Sequence, residues 1–231
     1  QESGLRLVDV IAVSGIQGYA TIVAVLGVLM ASGVFLALDD ALPDARKTEI
    51  LQQANARYLL MATSHEYLHY GQATCAFMPS DCKQISCQLN ENNNGASDQL
   101  NSAHFDDITE AAAYIYFTSG STGKPKGVLG THKGLAHFIQ WQAREFSISP
   151  AYRCAQLTNF SFDVFLRDMF LPLTTGATLC LPSRADILEP DNIMRWLAQE
   201  EISLMHVVPS LCRSWLQNAR SDYSLSALRH I

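Results

Sequence analysis

The sequence has no excess of basic residues: 16 Lys and Arg stand against 22 Asp and Glu, a net charge of −6. Binding a nucleic-acid backbone needs a basic face, so that class of partner is excluded. CxxC spacing is also missing. The six cysteines, at 75, 82, 87, 154, 180 and 212, are scattered and read as reduced, mostly buried thiols. The N-terminus lacks the basic-then-apolar order of a signal peptide. No sequence repeat is present. From Val10 to Leu38 no residue is charged, a length that could cross a bilayer. Gly15, Gly18, Gly27, Ser32 and Gly33 interrupt that run, and Ala31-Ser32-Gly33 reads as a helix stop. The run is therefore expected to be a buried helix and a buried strand, with no membrane partner. A cytoplasmic location is the matching expectation.

What is present is an ordinary globular composition, 48% apolar and 16% charged, in 231 residues. That is enough for one large domain or two small ones. Residues 5–14 read as a strand, 18–31 as an apolar helix, 34–38 as a strand, 44–54 as a helix and 58–61 as a strand. Residues 62–112 are less regular and include a polar tract from Asn90 to Gly95. Later, strands are expected at 114–117, 153–158, 177–181 and 202–207. Helices are expected at 131–147, 162–173, 191–200 (capped by Asp191) and 209–218. This alternation predicts an α/β fold of βαβ units, with largely parallel sheets flanked by helices. The expected division is a first α/β unit over 1–112 and a second over 113–231.

Two motifs carry chemistry. His65-Glu66-Tyr67-Leu68-His69 matches H-E-x-x-H, the pattern of a zinc peptidase helix. Its metzincin continuation fails, and Thr63-Ser64 reads better as a helix cap, so no metal site is assigned. The second motif is Tyr114 to Val128. An apolar strand, Tyr114-Ile115-Tyr116-Phe117, runs into a loop of Thr118, Ser119, Gly120, Ser121, Thr122, Gly123, Lys124, Pro125, Lys126 and Gly127. The glycines let backbone approach a ligand, and hydroxyls, lysines and successive N–H groups suit a polyphosphate. The loop is neither Gly-x-x-x-x-Gly-Lys-Ser/Thr nor Gly-x-Gly-x-x-Gly.

Thr118–Val128 resembles the phosphate-binding signature of the adenylate-forming superfamily, which includes acyl-CoA ligases and the adenylation domains of nonribosomal peptide synthetases. The resemblance extends to Met30–Asp39 with Leu42-Pro43-Asp44-Ala45-Arg46, although Ser32 replaces a usual Gly and Ala37 a usual Pro. It implies the large N-terminal subdomain of such an enzyme and the use of ATP with Mg2+. Thr118, Ser119, Gly120, Ser121, Thr122, Gly123 and Gly127 would hold the β- and γ-phosphates. Lys124 and Lys126 would be the catalytic cations.

Ser161-Phe162-Asp163, followed by Leu171-Pro172-Leu173-Thr174-Thr175-Gly176-Ala177-Thr178-Leu179, resembles the matching segment of amino-acid-activating domains. There the carboxylate pairs with the substrate α-ammonium group. Read from the residues alone, Asp163 is equally a helix N-cap. By position Val164, Arg167 and His206 would line the side-chain pocket. An Arg there suggests a polar or acidic side chain; otherwise Arg167 pairs with Asp168 and His206 is a satisfied core histidine. The resemblance further implies transfer of the acyl group to the phosphopantetheine thiol of a peptidyl carrier protein, with adjacent synthetase modules as partners. The alternatives are an acyl- or aryl-acid CoA ligase and a non-catalytic nucleotide-binding fragment. The chain is expected to be a partial adenylation domain, stopping before the adenine- and magnesium-binding segment and the C-terminal subdomain.

Overall fold

The computed structural model describes residues 9–15, 17–62, 83–86, 110–119, 125–220 and 223–231. The chain divides into two compact units, one of residues 1–16 and 20–134, the other of 17–19 and 135–231. The boundary follows Gly134, not residue 112, because two further strands complete the first sheet.

In the first unit the uncharged run resolves into β1 (Val10–Gly15), α1 (Tyr19–Met30) and β2 (Val34–Asp39). A 12-residue helix is only about 18 Å long. No helix among the described residues is long and apolar enough to cross a membrane. The continuous apolar reading of β2 reflects burial on both faces of a parallel sheet, from Val34 through Leu38. α2 (Asp44–Gln53) leads to β3 (Tyr58–Ala62), with β4 (Lys83–Ser86), β5 (Ala112–Ser119) and β6 (Pro125–Thr131) beyond. The sheet order is β4-β3-β1-β2-β5-β6. All neighbours pair in parallel except β5 and β6, which are antiparallel. Ile50 and Leu51 of α2 pack on Ala12, Leu36, Leu38 and Leu59.

The helix stop falls where expected. Gly33 N–H donates to Val28 O at 2.9 Å, closing α1, and Ser32 takes φ 58°. A left-handed conformation costs an L-residue about 1–2 kcal/mol that glycine escapes.

The second unit holds α3 (His132–Glu145, entering from the first unit), β7 (Arg153–Ala155), α4 (Val164–Thr175), β8 (Thr178–Cys180), α5 (Arg184–Leu188), α6 (Pro190–Gln199), β9 (Leu204–Met205) and α7 (Pro209–Asn218). Its sheet runs β8-β7-β9, all parallel. Alternate residues face opposite cores. Ala155, Cys180 and Met205 meet Ile193 and Leu197 of α6 and Trp215 of α7. Cys154 and Leu204 meet Ile139 of α3 and Leu171 of α4. Asp191 does not cap α6. Pro190 opens that helix after Glu189, and the Asp191 carboxylate accepts from Arg220 N–H at 2.7 Å.

Replacing Ser32 with Gly removes a strained backbone position. Ser32→Gly should raise unfolding stability by about 0.5–1 kcal/mol, read as a higher urea midpoint at unchanged m. The buried thiols give a second test. Burial, then the neighbouring Cys180 and Asp168, push Cys154 up from 9.0 to about 12. Burial raises Cys180 as well, with Arg153 opposing and Glu200 reinforcing. Both should resist iodoacetamide at pH 8 until denaturant is added. Between pH 9 and about 12 the unfolded Cys154 loses its proton while the folded one keeps it. The unfolded state then binds fewer protons, so stability is full below pH 9 and falls through that window. In Cys154→Ala the part of that decline due to this thiol should vanish.

Candidate functional site

The expected phosphate loop is, at both of its ends, a β-hairpin. β5 continues through Ser119 and β6 begins at Pro125, with Thr118 paired to Lys126 and Ser119 to Pro125. Thr118, Ser119, Lys126 and Gly127 are therefore strand residues, which corrects their reading as loop. Pro125 is tolerated because it is the first residue of an edge strand, where no ladder donor is required. Thr118 Oγ1 lies 3.5 Å from Lys126 O, and Lys126 is exposed. Two close approaches shape β6. A Cβ on Gly130 would sit 2.0 Å from the Tyr114 ring, and one on Gly127 would sit 3.2 Å from Phe117. Only glycine lets the Tyr114 ring lie across the strand. Gly120, Ser121, Thr122, Gly123 and Lys124 fall outside the described residues, as does the His65–His69 motif.

In the second unit, aromatic burial positions the N-terminus of α4. Phe160 and Phe165 pack edge to face, 5.4 Å between centroids, and both are buried. Just before α4, Asn159 Oδ1 accepts from Ser161 N–H at 2.8 Å and turns the chain. Asp163 is left at the N-cap position, but its side chain makes no capping bond. It is exposed, and among the described residues it has no ion pair. The carboxylate is thus not used to cap the helix.

Val164 and Arg167 are half-buried on the first turns of α4, and His206 is half-buried just after β9. What joins Arg167 to His206 is Asp168. Its side chain is fully buried in the apolar stripe of α4, with Phe165, Leu166, Met169 and Leu171. Thr158 Oγ–H donates to Asp168 Oδ2 at 2.6 Å, and His206 Nδ1 lies 2.8 Å from Oδ1. Arg167 Nε stands 3.6 Å from the same Oδ1, an ion pair with no hydrogen bond. His206 Nε2 lies 2.9 Å from Gln142 Nε2. Gln142 Oε1, on the same amide, is buried with no hydrogen-bond partner among the described residues. Gln156, itself buried, donates to Thr158 O at 2.5 Å and holds the far end of the chain.

Asp168 is the residue that motif reading missed. The signal was its phase: a carboxylate at a core position of an apolar helix must find partners. Among the described residues no group of three His, Cys, Asp or Glu could hold a metal ion.

Comparison with known proteins fits this geometry. The model of the AMP-binding enzyme family matches residues 1–231. The L-2-aminoadipate reductase of Schizosaccharomyces pombe is 31% identical over 99% of this chain, which spans 17% of that protein. Tyrocidine synthase 3 of Brevibacillus parabrevis is 31% identical over 84% of the chain, which spans 3% of it. The chain is thus similar to a small part of each. The nonribosomal peptide synthetase FmoA3 superposes with a TM-score of 0.75 at 28% identity, covering 99% of this chain and 23% of that one. The same protein in an α-methyl-L-serine-AMP bound form gives 0.74 at 27%, covering 99% and 24%. The fold is the mixed α/β arrangement, parallel strands flanked by helices, that those synthetase structures share. On the match of the family model to its whole length, this chain belongs to the AMP-binding enzyme family.

Proposed function

We propose that this chain is part of an amino-acid adenylation domain, which activates an α-amino acid with ATP for nonribosomal peptide synthesis. The observation that carries the substrate class is Asp163. A carboxylate at a helix start, free of any capping duty and held out by buried aromatics, suits an α-ammonium group. A desolvated ammonium needs a charged acceptor. Plain aryl and fatty acids have no use for one, which disfavours the CoA-ligase alternative. The ligand-bound form of FmoA3, an amino-acid adenylate complex by its description, supports the same class.

The substrate carboxylate oxygen attacks the α-phosphorus of ATP, the bond to the bridging oxygen of the β-phosphate breaks, and pyrophosphate leaves. The chain's own contribution is positional and electrostatic. Asp163 fixes the ammonium, and so the direction of attack. Val164, Arg167 and His206 meet the side chain. Lys126 stands across from Thr118, where positive charge and a hydroxyl can receive the leaving phosphates. Lys124, Ser119, Ser121, Thr122 and the backbones of Gly120, Gly123 and Gly127 belong to the same proposed cradle. Magnesium would accompany the nucleotide, and no metal ligands are assigned among the described residues. The aminoacyl adenylate then passes its acyl group to the phosphopantetheine thiol of a peptidyl carrier protein, with adjacent modules completing the assembly. A cytoplasmic location, where ATP is supplied, belongs to the same proposal.

The test is amino-acid-dependent ATP–pyrophosphate exchange by the longest natural chain that contains these residues. Asp163→Ala should lower kcat/KM for the amino acid about 10- to 100-fold, the size of a lost hydrogen bond between charged groups. The KM for ATP should stay near its original value. Lys124→Ala with Lys126→Ala should do the reverse, raising the KM for ATP. Exchange supported only by acids without an amino group would sink the assignment of Asp163.

A further inference from the structure

Asp163 and Arg167 carry opposite charge one helical turn apart on α4. Asp163 already has helical φ and ψ, −59° and −27°. The two side chains therefore leave the same face of the helix, about 6 Å apart along its axis. An ion pair forms readily at that spacing, yet the cation-to-carboxylate approach that Arg167 makes is to Asp168 instead.

Nor do the donors of Arg167 serve Asp168. Nε stands 3.6 Å from Oδ1 and makes no hydrogen bond there. Both oxygens of Asp168 have closer partners, the Thr158 hydroxyl at 2.6 Å on Oδ2 and His206 Nδ1 at 2.8 Å on Oδ1. Arg167 Nε is buried with no hydrogen-bond partner among the described residues, and the side chain is only 23% exposed. A guanidinium presents five donors in a fixed fork that matches the two oxygens of a carboxylate. One so far withdrawn from water, with its Nε idle, is short of an acceptor. Either orientation of the Gln142 amide, and either charge on His206, leaves it short.

Given the adenylation reading, on which this rests, we propose that Arg167 receives a carboxylate on the substrate side chain, so that the amino acid activated is a dicarboxylic one. Asp163 takes the α-ammonium. Arg167, one turn further along, takes the distal carboxylate through charge-assisted hydrogen bonds. Gripping the ammonium and the distal carboxylate together also decides which of the two carboxylates reacts, because only the one on the α-carbon is left free to attack ATP. A side-chain ammonium would meet a like charge at Arg167. An uncharged side chain would leave the guanidinium without its acceptor.

The experiment is exchange by the same full-length protein against three groups of α-amino acids. One group is dicarboxylic (aspartate, glutamate, 2-aminoadipate), one uncharged (asparagine, glutamine, valine, norleucine) and one basic (lysine, ornithine). The arginine stem is long and flexible enough to meet short and long acids, so the first group varies in length. The best dicarboxylic substrate should exceed the best uncharged one in kcat/KM by about 100-fold, the scale of lost hydrogen bonds between charged groups. Arg167→Ala should erase most of that ratio through the KM of the dicarboxylic substrates. Arg167→Lys keeps the charge without the fork and should fall between. A merely structural Arg167 would lower all groups together and leave the ratio unchanged, which would overturn its role as receptor. If Arg167→Ala does not fold, Arg167→Lys and the wild-type profile decide. Strongest exchange with an uncharged or basic amino acid would overturn this inference alone. Exchange with no amino acid would overturn the adenylation reading, and this one with it.

Discussion

A single buried carboxylate organises the second unit. Asp168 is placed by the apolar phase of α4, and once there it has to be satisfied. The segment after β7, through Thr158, and the segment after β9, through His206, are each tied to it by one contact. Removing such a group while leaving its partners is strongly destabilising, commonly about 3–5 kcal/mol. The orientation of His206 and the direction of Arg167 are both consequences of meeting that requirement. Residues that motif reading treats as independent pocket positions are thereby coupled through a residue the motif does not name.

The first unit depends on a different constraint. Five strands pair in parallel and are joined through helices or longer segments, as parallel pairing demands. β6 breaks the pattern by folding straight back on β5. Close return of the chain there relies on glycine, since Gly130 yields its side-chain space to the Tyr114 ring. Aromatic residues of β5 pack on β2 and on one another, with Phe35 edge-on to Tyr116 at 5.9 Å and Tyr114 edge-on to Tyr116 at 5.8 Å. The strand that leads into the glycine-rich segment is thus held by these ring contacts, with Ala113 and Tyr116 as its buried residues among those described.

The alternation of β1, α1, β2, α2 and β3 was legible because composition and punctuation agreed. Apolar runs of strand length lie between Gly, Ser and Pro stops, and the uncharged stretch yielded to its own breaks at Ser32 and Gly33. β4 was not legible, since Lys83-Gln84-Ile85-Ser86 has no apolar period and is a strand only through its pairing with β3. β6 was hidden for a related reason. Pro125-Lys126-Gly127 carries loop chemistry locally, and only the ladder to β5 makes it extended. In the second unit, the position of Asp163 at the start of α4 was legible from its aromatic neighbours. Asp168 was not, because next to Arg167 it looks like half of a surface ion pair. Burial, a tertiary property, distinguishes the two cases.

The antiparallel ladder between β5 and β6 has a consequence for anything bound at its tip. Ser119 and Pro125 are cross-strand partners, so the five residues between them join points about 5 Å apart. The ends of that segment are brought together by folding, before a ligand arrives. A nucleotide bound beside those two strand ends would spend little on bringing them together, because the ladder has already done so. Affinity at such a pair of strand ends is set more by the donors offered there than by the cost of gathering them.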